Sequence, residues 1–243
     1  MTSRVIRGSN DPDYVRRQYS SESGLRARKS VYQAVGGIDA RDVAFEAVQE
    51  ATPRRVLEVG CGEGEFAERL AGEPGIEVVA LDQSPRMVEL AQTRGLDARV
   101  GDVESLPFET GSFDVAVAAW MLYHVPELDR ALVELARVVA PTGRLVAVTN
   151  RANHLEEMFR LVGVDRWELP FGAENGEELL RRHFGRVELR DATGTVTFAD
   201  AEPIRAYLRS SERLSVYEPL VPDLDEPLVA HRRPVVFVAD EPL

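Results

Sequence analysis

The stretch Arg55-Val56-Leu57-Glu58-Val59-Gly60-Cys61-Gly62-Glu63-Gly64 constrains this chain more than any other. A short apolar run stops abruptly at three glycines on alternate positions, the pattern of a buried strand that runs into a ligand loop. Glycine supplies the positive φ of such a turn and lets a ligand approach where a Cβ would collide. Glu63-Gly64-Glu65-Phe66-Ala67 then opens a helix. The spacing is G-x-G-x-G with an acid, Glu58, two residues before the first glycine, which departs from the dinucleotide fingerprint G-x-G-x-x-G. A pyrophosphate is also disfavoured. Phosphates use N–H groups unopposed by negative charge, and Glu58, Glu63 and Glu65 crowd this turn. A cationic or zwitterionic ligand suits it better.

Downstream of the loop the chain keeps a regular alternation. Ile76 to Leu81 reads as a second strand ending at Asp82, and Ser84-Pro85 supplies an N-cap and a first-turn proline for a helix through Met87, Val88, Leu90 and Ala91. Asp97 to Val100 is a short third strand ending at Gly101-Asp102, and Phe113 to Ala118 is a fourth, apolar enough to be buried on both faces. Pro126 opens a helix with Leu128, Ala131, Leu132, Leu135 and Val138 on one side. Pro141-Thr142-Gly143 then turns the chain into a fifth strand, Arg144 to Thr149. Strands alternating with helices in this way predict a doubly wound α/β unit, with a mostly parallel sheet covered on both faces. Upstream, Asp39 caps an amphipathic helix carrying Val43, Ala44, Phe45, Ala47 and Val48 on its inner side. Residues 1 to 12 are expected to be a mobile terminus, followed by one or two short helices between Tyr14 and Val35. The final third reads as helices around Leu155 to Val162, Leu179 to Phe184 and Pro203 to Leu208. A sixth strand falls at Val187 to Leu189, an extended piece at Thr195 to Phe198, a proline-rich surface loop from Glu218 to Pro234, and a closing strand at Val235 to Val238.

Composition narrows the function classes. With 243 residues, 44% of them hydrophobic, the chain can bury one sizeable core. No apolar run approaches a membrane span, and Met1-Thr2-Ser3-Arg4 lacks a signal-peptide core, so a cytoplasmic protein without a membrane partner is expected. The single cysteine, Cys61, excludes an internal disulfide and a cysteine zinc site, and its ordinary role is a small residue packed beside the loop. A formal net charge of -12 argues against a nucleic-acid partner. The basic cluster Arg16, Arg17, Arg26, Arg28, Lys29 is the exception, and it reads as the solvated face of N-terminal helices.

In open α/β sheets ligands bind beyond the carboxyl ends of the strands, and four such ends carry suggestive residues here. They are Glu58 with Gly60 to Gly64; Asp82, a carboxylate able to accept from two ribose hydroxyls, with a helix cap as the alternative; Gly101-Asp102-Val103-Glu104-Ser105-Leu106-Pro107-Phe108; and Phe113 to Ala118 followed by Ala119-Trp120-Met121-Leu122-Tyr123-His124-Val125. Together, in this order and spacing over residues 55 to 149, they resemble the motifs of the class I S-adenosylmethionine (SAM) dependent methyltransferases of the small-molecule type. The resemblance implies a Rossmann-like methyltransferase fold with a seven-stranded sheet whose last strand lies antiparallel beside the sixth. It divides the chain into a helical cap, residues 1–38, and a methyltransferase domain, residues 39–243, with acceptor-side insertions around 150–185 and 195–234. It further implies SAM as cofactor. Glu58, Gly60, Cys61 and Gly62 would lie at its amino-acid end, and Asp82 on the ribose. Gln83 and Met87 would border the adenine, Asp102 and Val103 would read its edge, and a carbonyl near Ala118 would receive the ammonium. For Met87 core filling is the alternative. Tyr14 and Tyr19 occupy the segment that closes over the cofactor in relatives, with simple helix packing as the alternative.

The activity so implied is transfer of the SAM methyl to an O, N or C atom of a small-molecule acceptor, held in line over the strand ends. A base is needed only if the acceptor starts protonated. His124, Tyr123 and His154 lie where one would be required, and a neutral imidazole suits the task, with a histidine simply hydrogen-bonded in the structure as the alternative for His124 and His154. Three other functions are weighed beside it. An RNA base methyltransferase is opposed by the acidic balance, and a nicotinamide enzyme by the loop spacing. A non-catalytic SAM-binding protein remains compatible with the motifs. The acceptor's identity and the oligomeric state are not written in these residues.

Overall fold

The computed structural model describes residues 5–7, 10–18 and 35–243. A seven-stranded sheet forms its centre, in the order Asp97–Val100, Glu77–Asp82, Arg55–Val59, Phe113–Ala119, Val139–Asn150, Pro234–Pro242, Phe184–Asp191. The first five strands run parallel, and Pro234–Pro242 is antiparallel to both of its neighbours. This is the sheet order and direction that the resemblance implies.

Alternation along each strand builds a core on each face. Leu57, Val59, Ala116, Ala118, Leu145 and Phe237 pack to one side with Leu132 and Leu135 of the helix Leu128–Val138. Val56, Val115, Val117, Val146 and Val236 pack to the other, under the helices Ala40–Glu50, Glu65–Ala71 and Pro85–Thr93. The local signals act as read from the sequence: the Asp39 side chain accepts from Arg41 N–H at one helix start, and the Ser84 side chain from Met87 N–H at another, where Pro85 takes the first turn. Because the sheet runs outward in both directions from Arg55–Val59, the crevice between that strand and Phe113–Ala119 is the switch point in strand order, at which a ligand is expected.

The structure differs from the sequence reading outside this unit. Val5–Arg7, assigned to a mobile terminus, is a strand paired parallel with Arg166–Glu168. Gly194–Phe198 forms a second sheet, flanked by Leu228–Arg232 on one side and Val35–Gly37 on the other. The expected loop from Glu218 to Pro234 therefore contains a strand, and the expected boundary at residue 38 divides a sheet, since Gly36 and Gly37 pair with Thr195 and Gly194. That sheet shares a third apolar core, around Phe159, Phe198, Ile204 and Leu208, with the helices Glu156–Arg160 and Ala201–Arg209. Pro141-Thr142-Gly143 does not precede the fifth strand but lies within it: the pairing jumps from Phe113↔Val139 to Val115↔Arg144, leaving a bulge. Tyr19 and Tyr32 fall outside the described residues. No helix among the described residues is long and apolar enough to cross a membrane.

Candidate active site

A cavity of about 950 Å3 opens over the carboxyl ends of the central strands. One part of its wall is the glycine loop. Gly60, Gly62 and Gly64 all have positive φ, at 70°, 54° and 80°, and the loop is tied to the neighbouring strand by Gly60 and Cys61 N–H, which donate to Leu81 O at 2.7 and 3.1 Å. Gly60 is required for a reason the sequence did not reveal. A Cβ there would stand 2.7 Å from Cβ of Met121, in the segment after strand Phe113–Ala119, so the glycine lets two loops meet beneath the cavity rather than only making room for a ligand.

The electrostatics of this wall are acidic. Asp82, at the end of its strand and 8% exposed, accepts from Gly62 N–H through Oδ2 and from Ser84 N–H through Oδ1, both at 2.9 Å. Each oxygen keeps a further lone pair for a hydroxyl donor. Burial raises the Asp82 carboxyl above its ordinary value, against the lowering effect of those two N–H groups. Glu58 lies deeper, 3% exposed. Among the described residues its Oε2 has no hydrogen-bond partner. Burial pushes its carboxyl up to about 8, opposed by the Ala67 N–H and reinforced by the charge of Asp82. Two desolvated acids on one cavity wall, one with an unsatisfied oxygen, form a site that gains from a cation with hydroxyl groups beside it. A donor bearing an ammonium, a sulfonium and a ribose fits this set.

A family model described as a methyltransferase domain matches residues 57–147. The chain is also 32% identical over 178 residues to the ubiquinone biosynthesis O-methyltransferase of Xanthomonas oryzae pv. oryzae, an alignment covering 67% of this chain and 72% of that one. The chain is a SAM-dependent methyltransferase of class I. It is further similar to the demethylmenaquinone methyltransferase of Thermus thermophilus, 38% identical over 112 residues, 43% of this chain and 51% of that one; the chain thus spans about half the length of this relative. Its fold is shared with a phosphoethanolamine N-methyltransferase of Haemonchus contortus whose structure holds phosphomonomethylethanolamine and S-adenosylhomocysteine, at a TM-score of 0.61 and 18% identity, covering 95% of this chain and 60% of that one.

The methyltransferase brings most of the sequence-derived site residues together. Glu58, Gly60, Cys61, Gly62, Asp82, Gln83, Asp102 and Val103 line one cavity with Tyr123, His124 and His154. Two residues lie elsewhere. Met87 is 1% exposed and is not on the cavity wall, a position that favours its alternative of core filling. Ala118 sits inside the sheet, opposite Val59 and Ala147, and the wall is made instead by Ala119, Trp120 and Met121 beyond the strand end. Cys61 is buried, and desolvation raises its thiol far above the ordinary range, so it is inert packing.

His154 does not suit the role of a base. Its Nδ1 accepts the Arg233 N–H at 3.1 Å, which leaves the ring proton on Nε2. Burial, with Arg232 and Arg233 nearby, lowers its pKa to about 3. The ring is a neutral hydrogen-bond donor at working pH. His124 is half-buried on the cavity wall, in edge contact with the Tyr123 ring, centroids 4.6 Å apart. Sequence reading missed Trp120, Asn150, Tyr207 and Arg232 on the same wall. Trp120 has φ +53° and its indole N–H donates to Asn150 Oδ1 at 3.4 Å. A left-handed backbone is uncommon at so bulky a residue, and here it lies on the cavity wall. No pattern in the sequence announces it, because the conformation is imposed by Trp120 N–H pairing with Val148 O across the strand ends.

Proposed function

We propose that this methyltransferase moves the methyl group of SAM to an O, N or C atom of a small-molecule metabolite held in the same cavity, beyond the acidic wall. The observation that carries this reading is the buried, unsatisfied Oε2 of Glu58 beside Asp82, a pair suited to an ammonium and a ribose diol. Gln83, Asp102 and Val103, further along the wall, suit the base. SAM supplies a methyl already made electrophilic by its sulfonium. The chain's share is to bind the donor, to hold the acceptor atom about 3 Å away in line, and to exclude water. Where the acceptor carries an O–H or N–H, His124 is the residue placed to take the proton, with Tyr123 steadying its ring. The net charge of -12 and the quinone-related names of the two relatives support a small molecule over RNA as acceptor.

The test is to incubate the protein with SAM and a metabolite extract and to search by mass spectrometry for a species that gains one methyl. Its appearance together with stoichiometric S-adenosylhomocysteine supports the reading. Tight binding of S-adenosylhomocysteine with no product from small metabolites, and methylation of added RNA instead, would replace it.

A further inference from the structure

The order of the strands lays out the cavity wall. Asp82 ends Glu77–Asp82, Glu58 lies on Arg55–Val59, Trp120 follows Phe113–Ala119, and Asn150 ends Val139–Asn150; these four strands are neighbours in that order, and all four residues line the cavity. Strands stand about 4.8 Å apart, so the strand of Asn150 lies about 10 Å from that of Glu58. A donor resting on Asp82 and Glu58 occupies one side of the wall, and the end of the fifth strand is left to the acceptor.

Asn150 is partly buried there, between Trp120 and its ladder partner Pro234, which are themselves wall residues. Its backbone carbonyl accepts from Ala173 N–H at 3.1 Å. The side chain makes one bond, accepting the Trp120 indole N–H on Oδ1 at 3.4 Å. An indole N–H can only donate, so it takes the amide oxygen and leaves the NH2 group turned away from it. Among the described residues that NH2 group has no partner, and it is not sealed in the interior. Trp120 is a firm anchor for the amide. Its backbone N–H donates to Val148 O at 2.9 Å, and its side chain packs against the apolar core that contains Val148 and Val236. Both attachments of Trp120 lead to the fifth strand, so indole and amide are held as one unit.

Resting on the methyl-transfer reading, we infer that Asn150 is a specificity-determining residue whose NH2 group holds a carbonyl oxygen of the methyl acceptor, with Trp120 positioning the amide. An amide whose own oxygen is engaged offers donors only, which fits an uncharged oxygen that only accepts. Such a site rejects a molecule without the matching group, because the donor is then desolvated and left unpaired. The plain structural alternative is that Asn150 only anchors Trp120.

Asn150→Asp separates the two. Aspartate keeps an oxygen for the indole N–H and puts a second oxygen where the NH2 group stood, so it preserves the anchor and repels a carbonyl. The native protein is given a metabolite extract and SAM deuterated on its methyl group. The labelled product is identified by mass spectrometry and carbon NMR, and its unmethylated form is then used as substrate for native protein and variants. That molecule is expected to carry a carbonyl. Asn150→Asp should lower kcat/KM for it about tenfold or more, chiefly through KM, while S-adenosylhomocysteine affinity stays the same. Trp120→Phe, which removes the indole N–H and keeps the NH2 group, should lose less. An acceptor without a carbonyl overturns the inference, and so does unaltered turnover in Asn150→Asp, the result expected of a pure anchor. A fall in S-adenosylhomocysteine affinity in step with turnover overturns it as well, because the residue then serves the donor. Should the variant not fold, the structure of the native protein's acceptor decides alone. A native protein that binds S-adenosylhomocysteine and labels nothing in the extract would instead strike the methyl-transfer reading, and this inference falls with it.

Discussion

The backbone N–H of Gly62 donates to Oδ2 of Asp82 at 2.9 Å, so the carboxylate that ends one strand also fixes the loop that ends its neighbour. Ser84 N–H holds the other oxygen and starts the following helix. Asp82 is therefore part of the frame of the donor site as well as a candidate ligand of the ribose.

Asp82→Ala should weaken S-adenosylhomocysteine binding by tenfold or more, since each lost charge-assisted bond costs on the order of 1.5 to 3 kcal/mol. Asp82→Asn, which keeps one acceptor oxygen, should lose less. Calorimetry on folded variants measures both, and unchanged affinity in Asp82→Ala would remove this residue from the site.

Glu58 should make the donor site pH-dependent. Its folded value of about 8 lies above the ordinary 4.5 of an unfolded glutamate, so the native state holds the proton more tightly than the unfolded state between those limits. The contribution to stability is fully present below 4.5 and is lost as pH rises towards 8, at up to about 1.4 kcal/mol per pH unit. Glu58→Gln should flatten that slope in denaturation series of the ligand-free protein. Binding of a ligand ammonium favours the ionised carboxylate, so binding near neutral pH should release a proton. Calorimetry in buffers of differing ionisation enthalpy reads that proton directly, and no release at pH 7 would show that Glu58 is already charged or does not meet the ammonium.

What the sequence disclosed and what it hid divide along the chain for a physical reason. From Arg55 to Asn150 the strands Arg55–Val59, Glu77–Asp82 and Phe113–Ala119 are largely apolar and the helix after Asp82 is capped by Ser84, so the local pattern and the sheet coincide. The second sheet gave no such signal. Val35–Gly37 consists of a valine and two glycines, and Leu228–Arg232 is flanked by Pro227 and Arg233-Pro234. Their pairing depends on Gly194–Phe198, more than 150 residues from the first and about 30 from the second, and no local window contains it. Arg232 was missed with it, for an arginine among prolines and charges looks solvated until the strand that buries it is known. For Met87 the resemblance pointed to the adenine and core filling was the alternative, and its 1% exposure favours the latter.

His154 separates structural from catalytic histidine chemistry. Its pKa is lowered from 6.5 to about 3, so the unfolded chain takes up a proton in that interval while the folded one does not. Stability contributed by the neutral ring is present above 6.5 and is lost as pH falls towards 3. His154→Gln should flatten the acid limb of the stability profile over that window. In turnover the roles should differ: His124→Gln should lower the rate with an acceptor that starts protonated, and His154→Gln should not. A rate profile altered by His154→Gln alone would return the proton-transfer role to that residue.

The helix Pro12–Gln18 contributes to the cavity wall, and it should close with ligand. Val15 is 2% exposed and forms part of the cavity wall. Polar contacts join the helix to one short segment: the Tyr14 hydroxyl meets Ser211 Oγ at 2.9 Å, Gln18 Nε2 donates to Ser210 O at 2.7 Å, and Arg213 lies over the Tyr14 ring. The ion pair Arg17–Glu212, with both side chains more than 60% exposed, adds little. A seven-residue helix does not persist on its own propensity, so its order depends on that segment and on whatever fills the cavity beneath Val15. Amides of residues 12–18 should exchange quickly in the ligand-free protein and become protected with S-adenosylhomocysteine and acceptor together. Tyr14→Phe, which removes one anchoring bond worth about 1 kcal/mol, should lower kcat with little change in donor affinity, because water exclusion and acceptor alignment suffer before the loop at Gly60 to Gly64 does. Hydrogen exchange with and without ligand measures the closure, and equal protection of residues 12–18 in both states would make this helix permanent structure instead of a lid.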